Sequence, residues 1–192
     1  MGFYVWDTIG DDDDDLCILR DFVDGIGMDS WRVQAGEPLA SIFPKSARIF
    51  MSKESPGIKL ASFVGNTQRM LIVARPLKET IEKHCSNPVE YLPITIYDHR
   101  KRAYGKDYFL INPVGAHDCL NFKASDIVWD DEDPDEIIRI NKRVLSKSKV
   151  KNAPQLCRLG RDTSRYLVGE ELAQAIKKGR FTNVGLIEVP VK

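Results

Sequence analysis

The sequence contains no long hydrophobic run. None of its apolar stretches approaches the roughly 18 residues that a transmembrane helix requires, which excludes a helical membrane protein. The N-terminus lacks the basic and apolar regions of a secretory signal, so we expect an intracellular protein. The 192 residues are 43% hydrophobic, which is enough for one domain with a sizeable core.

Metal-binding motifs are absent as well. The four cysteines are scattered, with no CxxC pair, which indicates buried thiols in a reducing compartment rather than a disulfide framework. Two histidines lie near a cysteine, in His84-Cys85 and in His117-x-Cys119. Because a structural zinc site needs four ligands at characteristic spacings, we expect no bound metal.

Catalytic and cofactor motifs are missing too. The chain contains no GxSxG, HExxH, GxxxxGK[ST] or GxGxxG pattern, so we predict no catalytic residue and no cofactor. One alternative is an enzyme whose active site is dispersed along the chain, built from groups such as Asp98, His99, Arg100, His117 and Asp118. A second alternative is an adaptor protein that self-associates through an edge strand at residues 89–97.

What the sequence does have is charge that is sorted along the chain. The formal net charge is zero, but residues 1–40 hold ten acidic and two basic side chains, a local net charge of −8. Residues 137–192 hold thirteen basic and four acidic side chains, a local net charge of +9. Such separation steers association with a charged partner. The alternative is that the two ends neutralise each other in the fold.

Two acidic runs and one basic stretch carry much of this charge. Residues 11–15 lack the spaced ligands, glycine and distal glutamate of a calcium loop, so they are a solvated loop or a docking surface for a cationic partner. Residues 130–136 suit a helix N-terminus, although the apolar residues at 137–145 fit helix and strand equally. The basic stretch has no aromatic residue between positions 129 and 166, which favours a solvated face over a nucleic-acid site. Its members are Arg139, Lys142, Arg143, Lys147, Lys149, Lys151, Arg158 and Arg161.

The apolar pattern predicts an α+β fold, with mixed, mainly antiparallel sheet segments and a few packed helices. A strand at 70–73 leads into a helix that ends near residue 84 and turns Leu77 and Ile81 inward. Residues 165–179 repeat this pattern, and Gly179 is expected just beyond the helix with a positive φ. A strand-like segment follows each helix, at 89–97 and 184–191. An internal strand–helix–strand duplication is therefore one interpretation.

Short blocks in a fixed serial order carry a resemblance to a known family. The blocks are GIKLASF at 57–63, the strand and helix at 70–81, VEYLPI at 89–94, YFLIN at 108–112, CLN at 119–121 with Ser125, QLCRL at 155–159, YLVGEEL at 166–172 and TNVGLIE at 182–188. In this order they resemble the immunity protein 11 family of bacterial polymorphic-toxin systems. The resemblance implies an immunity-protein-like α+β domain at residues 57–192. An acidic N-terminal portion, residues 1–56, would pack on it to form one compact unit.

The resemblance also implies a function. Such a protein is cytoplasmic and not an enzyme, and it binds and neutralises the C-terminal domain of a cognate secreted toxin. We expect no nucleic-acid or membrane partner, and self-association stays open. Against a nuclease-type toxin, an acidic surface could fill the basic substrate groove, with tryptophans as anchors, although tryptophans are more often core. The predicted toxin-binding residues are Asp11, Asp12, Asp13, Asp14, Asp15, Trp31, Trp129, Asp130, Asp131, Glu132 and Asp133.

Overall fold

A computed structural model describes residues 2–10 and 13–192. This part of the chain forms an α+β fold, as the sequence predicts, with a short 3₁₀ helix at Gly27–Asp29. Its strands are β1 (Phe3–Asp7), β2 (Ile18–Leu19), β3 (Arg48–Phe50), β4 (Gly65–Asn66), β5 (Leu71–Ala74), β6 (Val89–Tyr97), β7 (Ala103–Pro113), β8 (Ala116–His117), β9 (Asp126–Trp129), β10 (Ile137–Lys142), β11 (Leu156–Leu159), β12 (Asp162–Gly169) and β13 (Gly185–Glu188). Its α-helices are α1 (Ser30–Ala35), α2 (Arg75–His84), α3 (Lys147–Val150) and α4 (Glu170–Gly179).

Two larger sheets frame the molecule. One has the strand order β13–β1–β12–β11–β8, and the other has the order β3–β6–β7–β5. The described residues also form two small sheets, β10–β9 and β2–β4. Most pairs are antiparallel, whereas β11–β8, β2–β4 and β3–β6 are parallel. The pairing is mixed and mainly antiparallel, in agreement with the prediction.

The same connection occurs once in each larger sheet. Strand β5 leads through α2 to β6, and β7 lies between these two strands, antiparallel to both. Strand β12 leads through α4 to β13, and β1 lies between them in the same way. The strand–helix–strand repeat is therefore present in the topology. Both helices bury the spaced apolar pair that the sequence shows, Leu77 with Ile81 and Leu172 with Ile176.

The two repeats share a core. Tyr4 and Trp6 of β1, Leu71 and Val73 of β5, and the inner faces of α2 and α4 belong to one buried cluster. Because successive residues of a strand point to opposite faces, alternate positions of the same strands supply two outer clusters. One covers the four-stranded sheet and includes N-terminal residues, and the other covers the five-stranded sheet and includes Ile140 of β10. The β9–β10 hairpin is thus attached to the outside of the five-stranded sheet.

A buried arginine fastens helix α1 to the rest of the fold. The guanidinium of Arg158 on β11 is fully buried and donates hydrogen bonds to the carbonyl oxygens of Val33 (2.6 Å) and Gln34 (3.3 Å) and to Asn112 Oδ1 (2.9 Å). Val33 and Gln34 lie in the last turn of α1, whose carbonyls lack partners within the helix and favour a cation. The expectation that Arg158 belongs to a solvated basic face is therefore wrong.

Two further expectations differ from the structure. Strand β6 is an interior strand, because β3 pairs with its last three residues on the side opposite β7. The outer strands of that sheet are β3 and β5. At the end of α4, Gly179 is still helical and the left-handed conformation falls on Arg180, with φ of 50°. A Cβ on Gly179 would lie 2.3 Å from the Phe181 ring, so close packing explains this glycine.

The N-terminal residues contribute strands to both larger sheets, because β1 and β3 pair with later parts of the chain. A division of the chain between residues 56 and 57 stays a prediction. Among the described residues, no helix is both long and apolar enough to cross a membrane.

Candidate partner-binding surface

Strands β9 and β10 form an antiparallel hairpin with its tip at residues 130–136. The inner side of the hairpin carries Ile127 and Ile140, which pack on the outer cluster of the five-stranded sheet, and Ile140 is only 7% exposed. In a strand, successive side chains point alternately inward and outward, which buries Ile140. Only a strand conformation also allows β10 to pair with β9. The sequence leaves helix and strand open after residues 130–136, and the structure has a strand there, Ile137–Lys142.

Side-chain-to-backbone hydrogen bonds fix the shape of the tip. Asp130 Oδ1 accepts hydrogen bonds from the amides of Glu132 (2.7 Å) and Asp133 (2.9 Å), and Asp133 Oδ1 accepts one from the amide of Asp135 (3.0 Å). The amide of Asp130 donates to the carbonyl of Glu136 at 2.9 Å and closes the turn. The bonds from the amides of Asp133 and Glu132 lower the pKa of the Asp130 carboxyl, which keeps it ionised.

The tip presents a dense negative charge to solvent. Asp130 is half-buried and the other five carboxylates are exposed: Asp131, Glu132, Asp133, Asp135 and Glu136. None of the ion pairs formed by residues 2–10 and 13–192 uses a carboxylate of the tip. Six negative charges therefore stand close together, and none of them forms a direct ion pair with a cation of the described chain.

An exposed aromatic pair lies beside the tip. The rings of Phe122 and Trp129 have centroids 5.9 Å apart and an interplanar angle of 48°, and the two residues are 37% and 38% exposed. Trp129 is the last residue of β9 and directly precedes the acidic tip. We call Phe122, Trp129 and residues 130–136 together the hairpin surface. Aromatic groups at the base of a charged loop can supply apolar contact area to a partner.

The first acidic segment, residues 13–15, is held differently. Asp13 Oδ2 accepts a 2.9 Å hydrogen bond from the ammonium of Lys59, and the Lys59 amide donates to the Asp15 carbonyl at 2.8 Å. The bond from Lys59 is the main reason why the pKa of Asp13 lies below its usual value. A Cβ on Gly57 would lie 2.2 Å from the Leu16 carbonyl oxygen, so the two backbone segments are closely packed.

The predicted binding residues thus fall on three parts of the fold. Trp129 and residues 130–133 share the hairpin, whereas Asp13, Asp14 and Asp15 form the separate first acidic segment. Trp31 lies on α1 and is 60% exposed. Asp11 and Asp12 lie outside the described residues. The structure therefore unites a predicted acidic run with a predicted tryptophan only at the hairpin.

Sequence reasoning misses Phe122 as a member of this surface. It does indicate the acidic run at residues 130–136, although Asp135 and Glu136 are not among the individually predicted binding residues. Phe122 and Trp129 are seven positions apart along the chain, so no local pattern indicates that their rings meet. A signal for the tip does exist, because an Asp-Pro-Asp sequence between two apolar runs is typical of a hairpin turn.

The groups considered for a dispersed active site lie in two separate places. The Asp98 carboxylate accepts bonds from the amides of Arg100 and Arg102, both at 2.9 Å, in the turn between β6 and β7. Asp118 follows β8, in the other large sheet, and pairs with Lys149 at 2.8 Å. The carboxylates of these two turns therefore make structural contacts with their own neighbourhoods.

The cysteines are thiols in the structure, as the sequence predicts. Three of them are buried and Cys85 is half-buried. Burial raises the pKa of Cys17 and Cys157 to about 12 and that of Cys85 and Cys119 to about 11, so all four are protonated at neutral pH. Within residues 2–10 and 13–192, no three His, Cys, Asp or Glu side chains gather in a metal-binding arrangement.

An acidic hairpin with exposed aromatic rings, set on a rigid α+β frame, has the properties of a protein-binding surface. Comparison with known proteins agrees with this class. Residues 28–191 match the model of the immunity protein family Imm11. The chain belongs to this family and is therefore an immunity protein directed against a toxin, which implies an inhibitor rather than an enzyme. The match includes the hairpin surface and α1, and it begins after the first acidic segment. No curated protein matches the sequence.

Proposed function

We propose that this immunity protein neutralises its toxin by binding the toxin domain directly, with the hairpin surface at the centre of the contact. The observation that carries the proposal is the tip, where six carboxylates stand in a fixed turn with no ion pair to the described part of the chain. Like charges at this density repel one another. A cationic partner relieves that repulsion, so the surface is complementary to a positively charged protein.

The aromatic pair supplies apolar contact area, which the charged tip lacks. Charged loops raise association rates and specificity, whereas buried aromatic anchors supply much of the affinity of an interface. Phe122 and Trp129 each leave more than a third of their surface exposed at the base of the tip. A toxin that covers the tip would also cover these rings and remove their apolar area from water.

The expected target is the basic substrate groove of a nuclease-type toxin. Such a groove binds phosphates through Lys and Arg, and closely spaced carboxylates can take the place of those phosphates. Individual charge pairs of this kind contribute on the order of a few kcal/mol of coupling energy across an interface. The partner is then the cognate toxin domain, and its groove is closed to substrate while the complex lasts.

The first acidic segment has a supporting role in this proposal. Asp13 already has a cation partner in Lys59, and Asp14 and Asp15 stand on the same anchored loop. These residues add to the negative field that attracts a basic toxin before contact. They would therefore affect the rate of association more than the lifetime of the complex.

The test is a tip that loses four of its six negative charges and keeps its turn. The variant changes four acids and retains the two that accept backbone bonds, Asp130 and Asp133; its substitutions are Asp131→Asn, Glu132→Gln, Asp135→Asn and Glu136→Gln. The matched control neutralises four exposed acids that form no ion pair elsewhere, with Asp21→Asn, Glu79→Gln, Glu171→Gln and Glu188→Gln. Affinity for the toxin domain encoded by the neighbouring gene is measured by calorimetry at two salt concentrations.

We expect the tip variant to bind the toxin domain about a hundredfold more weakly and with a smaller salt dependence. The affinity of the control for the toxin domain should stay within about threefold of that of the original protein, because only its long-range electrostatic attraction changes. Equal losses of affinity in both variants would mean that the tip contributes only to the overall negative charge of the protein and makes no specific contact. An unchanged affinity in the tip variant would remove the hairpin surface from the interface.

A further inference from the structure

A strongly basic cavity lies beside the hairpin, on the side of β10 that faces the turn between β11 and β12. It is a cleft of about 360 Å³, a volume at the lower end of the range for small-molecule sites. Five guanidinium groups and a single carboxylate, Asp162, line it. The arginines are Arg69, Arg139, Arg143, Arg161 and Arg165.

The internal hydrogen bonds of the cleft use only part of this charge. Asp162 Oδ2 accepts from Arg143 Nε at 2.9 Å, and Asp162 Oδ1 accepts from the Ser164 hydroxyl at 3.1 Å. Arg69 donates to Ser164 Oγ at 2.8 Å. Among the described residues no ion pair involves Arg139, Arg161 or Arg165. The cleft therefore carries about four more positive than negative charges.

One arginine of the cleft, Arg165, is partly buried beside other cations and has an unsatisfied hydrogen-bond donor. Its Nε atom is buried and has no hydrogen-bond partner among the described residues. Burial and the nearby Arg69 and Arg143 lower the pKa of Arg165. A buried donor without an acceptor costs free energy. An anion in the cleft recovers that cost only if the Arg165 side chain turns and brings its Nε atom to the cleft surface.

The backbone also holds two of the arginines in an unusual conformation. Arg69 has φ of 55° and Arg161 has φ of 66°, both in the left-handed region that side-chain-bearing residues seldom adopt. Strained positions of this kind cluster at binding sites. Ile137, Ile138 and Ile140 of β10 border the opposite side of the cleft, and of these only Ile138 is largely exposed, at 62%.

From this arrangement we infer that the cleft binds a small phosphate-bearing ligand of about the size of a nucleotide. Guanidinium groups recognise phosphate through paired N–H donors, and here they converge from three parts of the chain. The phosphate lies at the arginines and the body of the ligand lies against the exposed side chain of Ile138. This site is distinct from the hairpin surface and needs no toxin for its occupation.

The acidic tip flanks the mouth of this cleft. Asp133, Asp135 and Glu136 border an adjoining depression together with Ile137 and Arg161. Their charge repels an anion that approaches from that side. Removing tip charge should therefore strengthen phosphate binding while it weakens toxin binding, so that the two sites respond with opposite signs.

The experiment measures the binding of inorganic phosphate, pyrophosphate and ADP to the full chain by calorimetry in low salt, without toxin. The cleft variant is Arg139→Gln with Arg161→Gln, because both side chains are exposed and neither forms an ion pair with the described part of the chain. The matched control, Arg100→Gln with Arg180→Gln, removes two exposed arginines outside the cleft. Arg165→Gln tests the buried donor separately, and circular dichroism checks its fold.

We expect pyrophosphate and ADP to bind, with affinity at least about tenfold weaker in the cleft variant and within about twofold in the control. The four-charge tip variant should bind them more tightly. No binding of any phosphate probe to the original protein would overturn the inference, and so would an equal loss in variant and control. Binding of a tetraglutamate peptide without binding of pyrophosphate would also overturn it, in favour of an acidic protein segment. None of these outcomes depends on how the toxin is bound.

Discussion

Residues 13–15 and residues 130–136 are both runs of carboxylates, yet their surroundings differ. The first acidic segment is bound through backbone and side chain to Lys59, and its leading charge is offset there. The tip of the β9–β10 hairpin is shaped by hydrogen bonds to its own backbone, has exposed rings beside it, and forms no direct ion pair with the described part of the chain. Composition alone makes the two runs equivalent. Their different partners in the fold support our proposal that the tip contacts the toxin and that the first segment contributes mainly to the long-range electrostatic field.

The strongest test of this comparison removes the apolar anchor of each segment. Ile140 beneath the hairpin and Leu16 after the first acidic segment are both 7% exposed. Ile140→Ala and Leu16→Ala should each lower the free energy of unfolding by about 2–4 kcal/mol, because each leaves a cavity. Urea denaturation measures this change. Only Ile140→Ala should also weaken toxin binding, since only the hairpin must keep its shape for contact.

The conservative variant Ile140→Val serves as the control for the hairpin anchor and should cost only about 0.5–1.5 kcal/mol. If Leu16→Ala weakens toxin binding as much as Ile140→Ala does, the two segments are equivalent and the comparison fails.

The next largest effect separates contact from field by kinetics. The four-charge tip variant should raise the dissociation rate of the toxin complex and account for most of the hundredfold loss in affinity. The variant Asp13→Asn, Asp14→Asn and Asp15→Asn should lower the association rate a few-fold in low salt and leave dissociation unchanged. Stopped-flow binding at two ionic strengths measures both rates. A faster dissociation in the Asp13–Asp15 variant would place that segment inside the interface.

The two exposed tryptophans give a third, smaller contrast. Trp129→Ala should weaken toxin binding about thirtyfold, which corresponds to about 2 kcal/mol for an aromatic anchor. Trp31→Ala, on α1, should change it less than about threefold, since Trp31 stacks with no other ring of the described chain. Calorimetric titration with the toxin domain checks both values. The reverse order would move the centre of the interface from the hairpin to α1.

Local spacing was sufficient to predict the repeated strand–helix–strand units. The Leu-x-x-x-Ile spacing places Leu77 and Ile81 on one helical face, and the structure buries both. Spacing was not sufficient to predict the hairpin, because the apolar residues after position 136 fit the period of a helix and that of a strand equally well. Pairing with β9 and packing of Ile140 decide in favour of a strand.

Long-range contacts account for what the sequence could not show. The carbonyls that bind Arg158 belong to residues 33 and 34, so its sequence neighbours give no sign of its burial. The arginine cleft likewise joins Arg69 to residues 139–165 through the tertiary fold. In the candidate site, the sequence indicates the charges and Trp129 but not Phe122. Ring stacking across separate turns has no local pattern.

The smallest predicted effect concerns how each segment holds one ionised carboxyl. The pKa values of Asp13 and Asp130 both lie below the ordinary value of 3.8, Asp13 chiefly because of the Lys59 side chain and Asp130 because of the amides of Asp133 and Glu132. A carboxyl whose pKa is lower in the folded state than in the unfolded state stabilises the fold at every pH above the unfolded-state pKa. That contribution is lost as the pH falls through the folded-state pKa. Both contributions should therefore disappear below about pH 3.8 rather than near neutrality.

The causes of the two shifts can be separated by a single substitution. Lys59→Met removes the cation beside Asp13, so the pKa of Asp13 should rise towards 3.8 while that of Asp130 stays unchanged. High salt should raise the pKa of Asp13 more than that of Asp130, because salt screens an exposed ion pair more than hydrogen bonds from adjacent amides. Carboxyl carbon shifts followed by NMR during acid titration measure both values. A parallel rise of the two pKa values would mean that one shared electrostatic field lowers both of them. Asp13 would then not depend specifically on Lys59, nor Asp130 on the amides of its own turn.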